Sequence, residues 1–153
     1  MARRTLSFKT LDEAITEIES FRDREVKTHG VWSFYQILNH LALGAEWAMN
    51  QPSGFTPEEP GPAMKPSLQR KFFDRMVRTG KMKDGFQNPA SPTVRVEGDA
   101  AAELERLLSA LTELKNYSGP HPDHIVFGQL STAEWQLWCA MHCAHHLGFA
   151  EPQ

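Results

Sequence analysis

Three of the chain's seven histidines and both of its cysteines fall within Leu137–Phe149, LWCAMHCAHHLGF. On a helix, at about 100° per residue, His142 and His146 stand about 40° apart and one turn along, so both imidazoles project from one face. Such a pair is a two-point claw for a transition metal, and it needs a third donor from elsewhere. His145 and Cys143 fall on the flank. Cys139 lies two turns before His146 and about 20° from it around the axis, which makes it a possible fourth ligand or a nearby thiol. The plainer reading of a lone cysteine on an apolar helix face is a small hydrophobe, and it is the favoured one. One familiar zinc pattern is excluded, because H-E-x-x-H needs Glu after the first histidine and Cys143 stands there.

The third donor points to His40. Ser33, with Gln36 three residues later, is a capping box that opens a helix, and Trp32 with Ile37 fits a hydrophobic staple. Along that helix Ile37, Leu38, Leu41, Ala45 and Ala48 make a core stripe, while Gln36, His40, Gly44 and Trp47 make an adjoining one. His40 therefore sits at the edge of the buried face. Taken alone it reads as a core-edge histidine bonded to a carbonyl; with His142 and His146 it completes a set of three neutral nitrogen donors. Three protein ligands leave a position open to water or substrate, which is the catalytic kind of site rather than the closed structural kind. Zinc, nickel, iron and copper all accept imidazole, which alone does not choose among them; zinc or nickel is the leading expectation, with iron next. Gln36, one turn before His40, is a candidate to orient that ligand or touch a bound cofactor. The loop pair His121 and His124 also has ligand-like spacing, but beside proline it is expected to face solvent. No general base stands out among Glu46, Glu134 and the loop acids.

The elements that must hold these residues are helices. Thr10 with Glu13 is a capping box for a first helix carrying Leu11, Ala14, Ile15 and Ile18, with Gly30 as its stop; Ser131 with Glu134 opens the last. Asp99 caps a helix whose stripe is Leu104, Leu107, Leu108, Leu111 and Leu114. Five of the ten prolines, at 52, 57, 60, 62 and 66, make residues 50–66 a long surface connection, either a crossover or a lid. Ser67–Thr79 is a short extra helix with Leu68, Phe72, Phe73, Met76 and Val77 on one side and Gly80 closing it. Residues 84–98 read as loop, with an extended piece at Thr93–Val96. With no convincing strand alternation, the expected fold is all-α, an antiparallel four-helix bundle with a long crossover between the second and third main helices.

Composition narrows the function. The 153 residues suit one domain spanning 1–153, and a net charge of −3 argues against general nucleic-acid binding. Seven of the sixteen Lys and Arg residues lie between Lys65 and Lys83, opposed only by Asp74. That stretch could dock on an acidic partner, but the solvated face of a packed helix is favoured, and no membrane partner is expected. Free cysteines and the lack of an apolar leader or a span of about 20 apolar residues point to the cytoplasm.

The segments GVWSFYQILNHLA from Gly30, FGQLSTAEW from Phe127 and HCAHH from His142 resemble the DinB-like superfamily, and most closely a branch known only as a bacterial domain of unknown function. The most specific part is W-S-x-x-Q-x-L-x-H-L-A combined with the terminal H-x-x-H-H, and the resemblance covers essentially the whole chain. It implies an up-down-down-up four-helix bundle, often a homodimer, with a metal held by His40, His142 and His146. It also implies a small-molecule substrate and a low-molecular-weight thiol, since characterised relatives are thiol-dependent transferases and isomerases. The reading that follows is a metal-dependent transferase or hydrolase. The alternative is a non-catalytic bundle that binds a small ligand or a partner, with the histidines as a structural cluster.

Overall fold

The computed structural model describes residues 3–51, 64–82 and 97–153. Among them lie five helices and one two-stranded sheet, in the order α1 (Leu11–Glu19), β1 (Val26–Thr28), α2 (Phe34–Ala48), α3 (Pro66–Thr79), α4 (Ala100–Lys115), α5 (Thr132–Leu147) and β2 (Ala150–Pro152). The prolines at 52, 57, 60 and 62, Lys83 and the extended piece at Thr93–Val96 lie outside the described residues. None of the described helices is long and apolar enough to cross a membrane.

Helix starts follow local chemistry. In α2 the Ser33 hydroxyl accepts the Gln36 N–H while the Gln36 carbonyl oxygen accepts the Ser33 N–H, and Ser131 and Glu134 repeat the exchange in α5. Asp99 caps α4 by accepting from the Ala101 N–H. The first box is only half made: Thr10 accepts from the Glu13 N–H, but the Glu13 carboxylate receives the Lys9 N–H and the Thr10 hydroxyl.

Helix α2 packs most extensively on α4, and α1 and α2 each lie against both α4 and α5. The interface is the expected set of stripes: Ile37, Leu38, Leu41, Ala45 and Ala48 of α2 are buried, as are Leu104, Leu107, Leu108, Leu111 and Leu114 of α4. Each fully buried leucine contributes about 1.5–3 kcal/mol of transfer free energy. Across the same interface Arg106 grips Glu46 with both arms of its guanidinium, at 2.8 and 2.7 Å, and reaches Glu103 at 2.8 Å. The Glu46 carboxylate is thereby committed to holding α2 and α4 together. Glu134 is similarly engaged, in its cap and in an ion pair with Arg70 of α3.

Three expectations need correction. First, Gly30 does not stop the first helix. Helix α1 ends at Glu19, the chain turns through a left-handed Asp23 at φ 57°, and Gly30, at φ 115°, lies between β1 and α2. Second, there is a sheet: Val26, Lys27 and Thr28 pair antiparallel with Pro152, Glu151 and Ala150. Strands of three residues are too short to show alternation. The pairing fastens the chain before α2 to the chain after α5, with the His29 N–H donating to Phe149 at 2.7 Å. Third, α3 is longer than α1, at 14 residues against 9, and it buries only Phe73 and Met76 of its expected apolar side. Leu68, Phe72 and Val77 are 43%, 42% and 40% exposed. The helix meets the rest of the protein along a narrow line, where Phe73 sets its ring edge-on to Phe127 at 5.5 Å.

Candidate metal centre

Helix α2 supplies His40 and helix α5 supplies His142 and His146. Their ligand nitrogens all lie within 4.8 Å of one another. His40 Nε2 and His142 Nε2 are 2.9 Å apart. The three rings meet at centroid separations of 4.8, 4.5 and 4.7 Å and interplanar angles of 65°, 73° and 87°, so edges converge where faces might have stacked.

Two tryptophans wall the cluster. Trp138 stands one helical turn before His142 and stacks on it at 4.5 Å and 20°. Trp32 stacks on His146 at 5.4 Å and tilts against His40 at 4.9 Å. Trp32 thus contacts two of the three histidines. Gly44 sets the spacing between the helices: a Cβ there would lie 3.3 Å from His142 Nδ1, 3.4 Å from His142 Cε1 and 3.6 Å from a Trp138 ring carbon. Glycine inside a helix costs about 1 kcal/mol relative to alanine, and here it lets α5 approach α2 closely enough for His142 to reach His40.

Burial governs the protonation of these rings. It pulls His40 down to about 4, with neighbouring His145 adding to the effect, and pulls His142 and His146 well below the ordinary imidazole range. All three are neutral at physiological pH, the state in which imidazole binds a metal. Two neutral rings can share one proton across a 2.9 Å contact. Three converging nitrogens also suit a single cation. At about 2.0–2.1 Å per bond a tetrahedral ion needs its donors about 3.3 Å apart, so the closest pair would open by a few tenths of an ångström. The residues fit a transition metal with at least one position open.

The other residues singled out from the sequence are placed as follows. Gln36 has its carbonyl oxygen on the Ser33 N–H at 3.0 Å, in the helix cap. Cys139 and Cys143 are both free and buried, and Cys139 stands outside the three-histidine group. Burial pushes the Cys143 thiol up to about 12, and burial together with Cys143 raises that of Cys139. His145 is half-buried, with its Nδ1 3.3 Å from the Arg3 guanidinium.

His124 is buried, and His121 is half-buried with both ring nitrogens engaged. His121 bonds through Nδ1 to the Ala48 carbonyl at 2.6 Å and through Nε2 to the Thr132 hydroxyl at 2.8 Å. His124 is buried, pairs with Gly128 by two backbone hydrogen bonds, and accepts the Val126 and Phe127 N–H groups on its Nδ1. Burial lowers its pKa to about 3. It is the pivot of a tight loop closed by Gly128 at φ 68°. Of the residues that shape the centre, Trp138 carried a sequence signal, since Trp138, His142 and His146 repeat every four residues. Arg3 carried none, because its place depends on contacts more than 140 residues away in the chain.

A family model described as a protein of unknown function (DUF1569) matches residues 1–153. No curated protein and no solved structure matches the chain.

Proposed function

We propose that this chain, which belongs to the DUF1569 family of proteins of unknown function, is a metal-dependent enzyme acting on a small molecule through His40, His142 and His146. The observation that carries the reading is the convergence of three neutral imidazoles from two helices on one point, His142 buried and His40 and His146 half-buried, with ring edges inward. A divalent transition metal held there, zinc or nickel before iron, supplies a Lewis acid that lowers the pKa of a bound water or thiol and polarises a substrate oxygen. The chain's own residues do the rest: the two histidines of α5 and the one of α2 fix the donors, Trp32 and Trp138 shut water out of two sides, and Gly44 sets the helix spacing. The DinB-like resemblance supports an up-down-down-up bundle and a thiol-dependent transferase, with hydrolysis as the other reaction an open metal site runs.

Metal titration of tag-free protein tests this reading. One equivalent of zinc or nickel should bind wild type, and His40→Ala, His142→Ala and His146→Ala should each lower affinity by at least a hundredfold while remaining folded. Less than a tenth of an equivalent in wild type, with no uptake on titration, leaves the histidines as a structural cluster and overturns it.

A further inference from the structure

Positive charge is concentrated on α3 in a chain that is acidic elsewhere. Between Lys65 and Lys83 stand seven of the 16 cations and one of the 19 acids, which leaves nine cations and 18 acids for the rest of a chain whose net charge is −3. A solvated outer face on a packed helix would put the apolar residues of α3 in the core, yet only Phe73 and Met76 are buried. Part of the apolar surface therefore shares the exposed side with the cations.

At about 100° per residue, Leu68, Phe72, Arg75 and Thr79 fall within about 60° of one another, on a stripe about 100° round the helix from the Phe73–Met76 line. All four are exposed, Leu68 and Phe72 at 43% and 42%. Their spacing, four then three then four, is that of a coiled-coil seam, and Lys71 and Arg78, seven residues apart and both exposed, take the flanking positions on one side. Val77 lies on the opposite side and takes no part. The single acid of the helix is spent, because Asp74 pairs with Arg70 at 3.3 Å. Arg70 is spent as well, on Asp74, on Glu134 and over the Phe73 ring at 5.1 Å. Lys71, Arg75 and Arg78 enter no ion pair with any described residue.

We infer that this stripe docks an amphipathic helix of another protein, apolar along its seam and rich in carboxylates on its flanks. Apolar residues of the partner cover Leu68 and Phe72, and its carboxylates meet Arg75 in the seam and Lys71 and Arg78 beside it. Other occupants fit less well. A second copy laid α3 against α3 sets three cations against three. A helix lying in a membrane surface needs a broad apolar face, whereas two apolar residues stand here among cations. A nucleic-acid backbone would meet the cations and leave Leu68 and Phe72 uncovered. Four turns of helix give a contact below about 1,200 Å², so the complex is weak and reversible. Docking here needs no metal at the three-histidine centre.

The test titrates full-length, tag-free protein into a fluorescently labelled helical peptide of three heptads, with leucine at the seam positions, glutamate at the flanking ones and alanine or glutamine elsewhere, read by anisotropy. A second peptide carries lysine in place of glutamate. Wild type should bind the glutamate peptide at least tenfold more tightly than the lysine peptide, and less tightly as salt rises. In Lys71→Glu/Arg78→Glu the preference should reverse, an outcome that misfolding cannot produce. Phe72→Ser should weaken the glutamate peptide at least fivefold, and Lys27→Glu, which reverses an exposed cation of β1, should leave its affinity within twofold. No binding of the glutamate peptide at about 1 mM protein, equal affinity for both peptides, or an unreversed preference in the double variant overturns the inference. An unchanged affinity in Phe72→Ser, or a loss in Lys27→Glu as large as in the double variant, overturns it too. So does tighter binding to phosphatidylserine vesicles than to the glutamate peptide, or self-association of wild type that Lys71→Glu/Arg78→Glu abolishes, each of which assigns the stripe to a different occupant.

Discussion

Replacing Gly44 by alanine sets stability and metal binding against each other. Gly44 lies inside α2, where alanine is favoured by about 0.5–1 kcal/mol through helix propensity and the loss of unfolded-state freedom. The new methyl would stand 3.3 and 3.4 Å from two atoms of the His142 ring and 3.6 Å from Trp138. Neither ring can swing aside easily, because the two stack on each other at 4.5 Å in the buried face of α5. Ordinary carbon contacts are about 3.5–4.0 Å, so α5 must recede by a few tenths of an ångström. That shift costs about what the propensity returns, and Gly44→Ala should melt within a few degrees of wild type. To take a metal the His142 ring must adjust in the space that Gly44 leaves beside it, and a methyl 3.3 Å from that ring removes the room, so zinc binding, which holds its metal–donor distances to about 0.2 Å, should weaken at least tenfold, or about 1.4 kcal/mol. Thermal unfolding of the apo-protein gives the first quantity, and competition for zinc against a chromophoric chelator gives the second. Wild-type zinc affinity in a well-folded Gly44→Ala variant would refute the claim that the α2–α5 spacing sets the donor geometry.

Other predictions follow from the same structure. Burial holds the His124 pKa near 3, whereas the unfolded chain takes up its proton below about 6.5. Stability from this residue is therefore complete above that pH and drains away as pH falls, by about 2 kcal/mol at pH 5. His124→Asn keeps an acceptor for the Val126 and Phe127 N–H groups without the titration, and should lessen the loss measured by denaturant unfolding between pH 7 and 5 by that amount. Arg106→Ala strands the Glu46 and Glu103 carboxylates, whose side chains are 14% and 9% exposed, and should cost about 2 kcal/mol in urea unfolding. Cys139 and Cys143 should react with a thiol-specific disulfide reagent at neutral pH only on unfolding, because burial keeps both thiols protonated and covered.

The parts of this protein that could be read from its sequence are those fixed by local chemistry. Ser33 with Gln36 and Ser131 with Glu134 mark where α2 and α5 begin, and once both starts are known helical geometry places His40, His142 and His146 on inward faces. The repeat of Trp138, His142 and His146 likewise shows in the spacing. What escaped is set by partners far along the chain. Neither Val26–Thr28 nor Ala150–Pro152 reads as a strand without the other, and the stacking of Trp32 on His146 joins residues far apart in the chain. His121 and His124 look like loop residues beside proline until the Ala48 carbonyl and the α5 tryptophans surround them. In α3 the helical period was clear, yet its apolar face is wider than the loop it packs on, so Leu68, Phe72 and Val77 stay at the surface.

X-ray absorption at the edge of the bound metal tests the central claim most directly, because it counts the donors as well as the metal. Protein loaded with one equivalent of zinc should show about three imidazole nitrogens at about 2.0–2.1 Å and at least one further light donor, with the imidazole signal falling by a third in His40→Ala. A first shell without imidazole scattering, or one unchanged by loss of His40, would contradict a metal centre built from α2 and α5.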